Sequence, residues 1–241
     1  LVHLIVAYKK GYKIKKIELF PFGGMAEYKG LLEMEPWHEI IIALSGPIFS
    51  LSLAGLFFIL KENIFLKYNL IIGIFNLIPA LPLDGGRVLR GLLVSRLGFK
   101  KGSQIAVRVS KNLAILGFIT GIFSLILNNT NIWILFISFF VYAAAVKENK
   151  QYIYSLLTYL TYRKKHLENI KMKRVSSQVV GGKMYLNEVI TFLVPNKFNI
   201  FYVLDDKSKI AGIISEGQLL EHFFNIEKAD TEIINIIRKK K

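Results

Sequence analysis

The sequence predicts a helical membrane domain of several spans, followed by a small soluble domain on its cytoplasmic side. Three observations carry that class: long charge-free apolar runs, basic residues confined to alternate loops, and a soluble composition after about residue 150. Hydrophobic residues make up 53% of the 241 and mean hydropathy is +0.42, more apolar than ordinary soluble domains. Against 17 Asp+Glu stand 32 Lys+Arg, a net charge of +15. An excess of this kind can serve nucleic acid, but basic charge flanking apolar spans marks cytoplasmic membrane loops, and no nucleic-acid partner is expected. The chain has no cysteine, so any metal would rest on His, Asp or Glu. Its start has no charged leader region, cleavage site or Met, so a signal peptide is not expected and the chain reads as beginning inside a longer protein.

Taken in order, Leu1–Tyr8 reads as the last turns of a span. Ile40–Leu60, "IIIALSGPIFSLSLAGLFFIL", carries no charge and reaches the roughly 20 residues that a bilayer core demands. Tyr68–Leu83 is equally apolar but is broken by Pro79 and Pro82. Leu113–Leu127 and Ile132–Val146, joined by "NNTN", read as a helical hairpin through the membrane. The basic residues set the sidedness. Lys9, Lys10, Lys13, Lys15, Lys16 and Lys29 follow the first run, and Arg87, Arg90, Arg96, Lys100, Lys101, Arg108 and Lys111 follow the broken one. Lys147, Lys150, Arg163, Lys164 and Lys165 follow the last, whereas the alternate loops hold Lys61 and Lys67 alone. The basic side is cytoplasmic, so His3 and Asp84 emerge there at similar depth.

Ionisable groups near a membrane interior are costly and become functional candidates. Two prolines three apart in "FNLIPALPLDGGRVLRGLL" cannot continue a helix and free backbone carbonyls around Asn76–Asp84. Irregular backbone at that depth must be buried in protein or line a wet cavity. Asp84 then has two compatible readings, an N-cap for the following helix or a ligand. A divalent metal without cysteine is naturally held by two histidines and a carboxylate. Two histidines at i and i+4 share a helix face, with the glutamate between them placed as general base. Counting back from His3 puts that glutamate immediately before Leu1 and the first histidine before it. His38–Glu39 lacks the second histidine and reads as interfacial polarity; His166 and His222 read as surface residues, and Ser45 and Ser52 as small-residue sites on a membrane helix.

These residues resemble the site-2 intramembrane zinc metalloproteases, which pair an H-E-x-x-H helix with a downstream Leu-Asp-Gly segment, here "NLIPALPLDGG". "LFPFGGMAEY" (Leu19–Tyr28) resembles that family's β-hairpin after the catalytic helix, and "LSGPIFSLSLAG" its small-residue span. The pairing of "PFGG" with "PLDGG" resembles the sporulation branch that processes a membrane-associated pro-sigma factor. The resemblance implies Zn2+ as cofactor, His3 and Asp84 as ligands, and a catalytic Glu just before Leu1. It implies Phe22, Gly23, Gly24, Asn76, Pro79, Pro82 and Gly85 as substrate-binding or site-shaping residues, Asn76 either orienting substrate backbone or capping the broken helix. Implied partners are the lipid bilayer, a membrane-associated protein substrate lying extended along the hairpin, and inhibitory membrane proteins.

The tail holds a basic, tyrosine-rich linker helix, then a helix over Leu186–Val194, strands over Phe198–Leu204 and Ile210–Ser215, and a helix over Glu216–Phe224. This helix–strand–turn–strand–helix order resembles a CBS domain, a family that works in pairs and binds adenine nucleotides such as ATP. A single copy implies a homo-oligomer. Gln218 stands where that family's ribose-contacting Asp is common, which leaves nucleotide binding and a purely structural docking module both open. The predicted fold is therefore an α-helical multi-span membrane protein with a short β-hairpin near its active site and a small α/β CBS-like cytoplasmic domain. Its divisions are a membrane metalloprotease domain at 1–150, a linker at 151–174 and the CBS-like domain at 175–241. Competing readings are a CBS-regulated transporter using Asp84 as an ion site and a non-catalytic pseudoprotease scaffold.

Overall fold

A computed structural model describes residues 2–20, 23–29, 36–127, 132–166, 174–195, 197–225 and 231–238. Helix α1 (Val2–Lys9) leads into an antiparallel hairpin of β1 (Lys13–Phe20) and β2 (Gly23–Lys29), with Leu19 opposite Gly24 and Phe20 opposite Gly23. The hairpin thus begins earlier than the predicted Leu19–Tyr28. Helices α2 (Pro36–Ile59), α3 (Asn63–Asn76), α4 (Asp84–Leu97), α5 (Phe99–Ile126) and α6 (Trp133–His166) follow.

Among the described residues, α2 and α5 are long and apolar enough to cross a membrane. Their outward side chains, with those of α3 and α6, are widely exposed: Phe58, Ile59, Ile64, Ile126 and Phe139 among them. A continuous apolar surface of this extent is stable against lipid, not water.

Hydropathy located the apolar runs but not the helix ends. Helix α5 starts at Phe99, well before the predicted Leu113, because Phe99, Gly102, Ser103, Ala106, Val107 and Ser110 form one buried stripe at helical spacing. Gly102 makes that stripe possible, since a Cβ there would lie 2.5 Å from the Val94 amide nitrogen of α4. Helix α6 runs unbroken through the predicted span end at Val146 and on to His166. The "NNTN" turn and residues 167–173 of the linker lie outside the described residues.

The proline-broken stretch behaves as its chemistry dictates. Helix α3 stops at Asn76, and residues 77–83 run non-helically to α4. Ala80 packs with Ala114 and Val141, and Leu81 with Ala106 and Val107. The Leu81 N–H donates to Ser110 Oγ at 2.8 Å, and that hydroxyl donates to the Ala106 carbonyl.

The tail forms a three-stranded sheet in the order β3 (Arg174–Gly181), β4 (Lys197–Leu204), β5 (Ile210–Ser215), parallel between the first pair and antiparallel between the second. Helices α7 (Leu186–Ile190), α8 (Glu216–Asn225) and α9 (Ile233–Arg238) accompany it. Strand β3 is an addition to the predicted elements, and α7 is shorter than predicted. Ser215 Oγ accepts from the Gln218 N–H at 3.4 Å while Gln218 Oε1 accepts from the Ser215 N–H at 3.3 Å, the reciprocal capping box of an S-x-x-Q start.

The tail's core reaches into the membrane domain. Leu186, Val189, Leu193, Phe201 and Leu219 share one buried cluster with Val94, Phe99 and Leu160 of α4, α5 and α6. Gly98, the turn between α4 and α5, has φ +85° and would place a Cβ 3.1 Å from the Leu193 carbonyl, so both its conformation and its contact favour glycine.

Candidate metal centre

Helix α4 begins at Asp84 itself. Leu83, with extended φ and ψ, is the N-cap and forms no side-chain cap bond. The N-cap reading of Asp84 is thereby corrected: its carboxylate is in the first helical turn, where the helix dipole favours negative charge, and points to His3 instead. His3 Nε2 and Asp84 Oδ2 are 3.3 Å apart, with side chains 33% and 16% exposed.

The other face of His3 sets its tautomer. Nδ1 lies 2.7 Å from the Ile42 carbonyl oxygen of α2. A carbonyl only accepts, so Nδ1 carries the proton and donates it there. Ser45 Oγ donates to the same carbonyl at 2.6 Å and stands 3.3 Å from Nδ1. With Nδ1 committed to the carbonyl, Nε2 faces the carboxylate and can hold either a second proton, donated to Asp84, or a metal ion shared with it. Two donors each about 2.1 Å from a tetrahedral ion are about 3.4 Å apart, close to the separation here. A backbone acceptor on the far ring nitrogen is also the usual way a ligating histidine is held. The pair therefore fits a divalent metal. Among the described residues no group of three His, Cys, Asp or Glu side chains gathers to hold one, so the pair would be two ligands of a larger set.

Glycines set the closeness of the elements. A Cβ on Gly46 of α2 would lie 2.3 Å from His3 Nε2, and one on Gly85 would lie 2.3 Å from the Leu77 carbonyl oxygen. On Gly86 it would lie 2.3 Å from the Leu81 nitrogen. The Asp-Gly-Gly start of α4 can thus lie directly against the unwound stretch.

Of the other predicted site residues, Gly85 adjoins Asp84, and Pro79 and Pro82 lie in the non-helical stretch. Pro79 and Gly85 share a small apolar groove with Leu44, Leu77, Val88, Leu89 and Leu92. Asn76 closes α3 and donates from Nδ2 to the Ile72 carbonyl at 3.0 Å. Gly23 and Gly24 open β2, while Phe22 lies outside the described residues.

Sequence reasoning missed Gly46 as a contact of the site, although the Gly-Pro inside a span was the available signal. It also read Ser45 as a packing residue, where it braces the His3 acceptor. His38 and Glu39 are more than interfacial polarity: His38 Nδ1 and the Tyr12 hydroxyl share a hydrogen bond at 2.7 Å, and Glu39 pairs with Arg90.

A membrane-embedded helical domain with a histidine–carboxylate pair at a broken helix defines a candidate intramembrane metalloenzyme. The family model of Peptidase family M50 matches residues 1–66 and 62–118. The chain is 31% identical to the zinc metalloprotease MJ0392 of Methanocaldococcus jannaschii, over 99% of this chain and 72% of that protein. It is 28% identical to the stage IV sporulation protein FB of Bacillus subtilis, over 68% of this chain and 59% of that protein. The solved structure of the site-2 protease from Methanocaldococcus jannaschii matches with a TM-score of 0.51 and 34% identity, covering 61% of this chain and 70% of that one. The chain belongs to peptidase family M50, the site-2 zinc metalloproteases, which are integral membrane hydrolases. That membership displaces the transporter alternative.

Proposed function

We propose that this chain carries the catalytic centre of an intramembrane zinc metalloprotease, with His3 and Asp84 as two of the protein ligands. The observation that carries the reading is the 3.3 Å approach of His3 Nε2 to Asp84 Oδ2, with Nδ1 of the same ring committed to the Ile42 carbonyl. The remaining histidine ligand and the glutamate base are those expected ahead of Leu1. When bound, zinc supplies Lewis acidity toward the scissile carbonyl and the attacking water. Ile42 and Ser45 hold the His3 ring, the Leu83 cap leaves the Asp84 carboxylate facing His3, and Gly46 leaves room between them. An extended substrate segment pairs with the hairpin near Gly23 and Gly24, with Phe22 a further candidate for binding it, and so presents its backbone to attack. Pro79, Pro82 and Gly85 shape the wall beside Asp84. The Asn76 bond to Ile72 supports its role at the helix end.

The substrate we propose is a membrane-associated protein with an acidic cytoplasmic segment, suited to the basic loops. A pro-sigma factor is the particular candidate, supported by the likeness to the sporulation protein. Residues 1–150 form the multi-pass protease domain and 175–241 a cytoplasmic CBS-like module, with the linker between them inside α6 for most of its length. For the module we favour structural docking over adenine-nucleotide binding, because Gln218 is engaged in the helix cap and the core of the module merges with Val94, Phe99 and Leu160. Homo-oligomerisation is supported by an apolar strip on the outer sheet face. Val175, Val179, Ile210 and Ile213 are exposed there, in register with Phe198, Tyr202 and Leu204.

The test is co-expression of the intact protein with a membrane-tethered pro-sigma substrate, with and without 1,10-phenanthroline. Cleavage should stop on chelation, return with added zinc, and fall at least ~100-fold in Asp84→Asn or His3→Ala, the scale of losing an essential catalytic group. Cleavage by Asp84→Asn at the wild-type rate would remove Asp84 from the ligand set, and an uncleaved substrate in every sample would favour the pseudoprotease scaffold.

A further inference from the structure

Away from the metal centre, one charged cluster is built into the interior. The Arg90 side chain of α4 is only 16% exposed and is held between two carboxylates from two other helices. Its Nε donates to Glu39 Oε1 of α2 at 3.1 Å, and its Nη2 donates to the same oxygen. Its Nη1 donates to Glu148 Oε1 of α6. Burial alone works against the guanidinium charge, but Glu39 and Glu148 together hold it protonated more firmly than in water. Beside it Gly91 meets α2 closely: a Cβ there would lie 2.7 Å from Ile40 Cγ1 and 3.0 Å from the Pro36 carbonyl oxygen.

The placement of the cluster matches that of the metal centre. On α2, Glu39 and Gly46 are two helical turns apart on one face; on α4, Arg90 lies six residues beyond Asp84. At a 1.5 Å rise per residue these spacings are about 10 Å and about 9 Å. The helices run antiparallel, so one end of their contact is Gly46 against Asp84 and the other is Glu39 against Arg90. The first end sets how His3, held by Ile42 of α2, meets Asp84 of α4, and slippage at the second end would be felt at the first.

We propose that Arg90 is a positioning residue for the metal centre, fixing α4 against α2 and α6 through Glu39 and Glu148 so that Asp84 faces His3 at ligand distance. Its planar fork can hold both carboxylates at once, which a lysine ammonium cannot do with the same geometry. The inference rests on the zinc reading of His3 and Asp84.

The experiment titrates Co2+ and Zn2+ into the purified intact protein in nanodiscs, recording the visible Co2+ bands and the zinc affinity by chelator competition. Wild type and Asp84→Asn are compared first. Equal binding by both sinks the ligand reading itself, and this proposal with it. The next variants are Arg90→Lys, which keeps one charge, and the triple change Glu39→Gln, Arg90→Met, Glu148→Gln, which leaves no unpaired buried charge. Both should fold, as judged by size-exclusion profile and melting, yet bind zinc about 10–100-fold more weakly with altered Co2+ bands, the usual scale for losing support behind a metal ligand. A folded triple variant with wild-type Co2+ bands and affinity overturns the proposal while leaving His3 and Asp84 as ligands. Failure of both variants to fold also overturns it, because the cluster would then act on stability alone.

Discussion

A Cβ placed on Gly46 would stand 2.3 Å from His3 Nε2 and 3.3 Å from Asp84 Oδ2. The first contact is too close for any atom, and the ring cannot retreat without breaking its 2.7 Å bond to Ile42. Gly46→Ala should therefore leave α2 helical but turn the His3 ring, lowering zinc affinity about 10–100-fold, the scale of disturbing the support of a metal ligand. Zinc retained after dialysis measures it, and full retention would show that the ring does not occupy that space. His3 and Asp84 were legible as candidates because ionisable groups are rare in such apolar surroundings. Gly46 was not, because the Gly-Pro inside the span signals a close approach without saying which distant element makes it.

At the scale of an element, the non-helical residues 77–83 are held by the packing of Ala80 and Leu81 and by hydrogen bonds. One is the Leu81 N–H to Ser110 Oγ, on a hydroxyl that is 0% exposed. Ser110→Ala removes the acceptor while burying the donor, so stability should fall by about 1–3 kcal/mol. Thermal unfolding in detergent measures the loss, and an unchanged midpoint would mean another group takes the N–H. The break itself was readable from Pro79 and Pro82, since proline cannot supply a helical donor. Its anchor was not, because Ser110 lies 29 residues away in sequence on a helix whose start hydropathy misplaced. Basic residues lower hydropathy without breaking a helix, so α5 extends back to Phe99 and α6 forward to His166.

Across the whole molecule, the tail is part of the same solid body as the membrane helices, through Leu193 and Phe99 in one buried cluster. Helix α4 links that cluster, at Val94, to Asp84 at its other end. The opposite face of the sheet remains apolar and open. Val179→Asp with Ile213→Asp should convert an oligomer to a monomer by mass photometry, since two opposed charges in a desolvated face are strongly unfavourable. An unchanged mass would place any self-association elsewhere. The sequence by itself determined the membrane class, the break before Asp84 and most tail elements, because composition and proline act locally along a chain. Only the tertiary structure decided that His3 meets Asp84 across Gly46, that Arg90 lies between Glu39 and Glu148, and that the tail shares a core with α4, α5 and α6. Those are contacts between residues distant in sequence, set by where a missing side chain lets two helices close, and no local pattern encodes that distance.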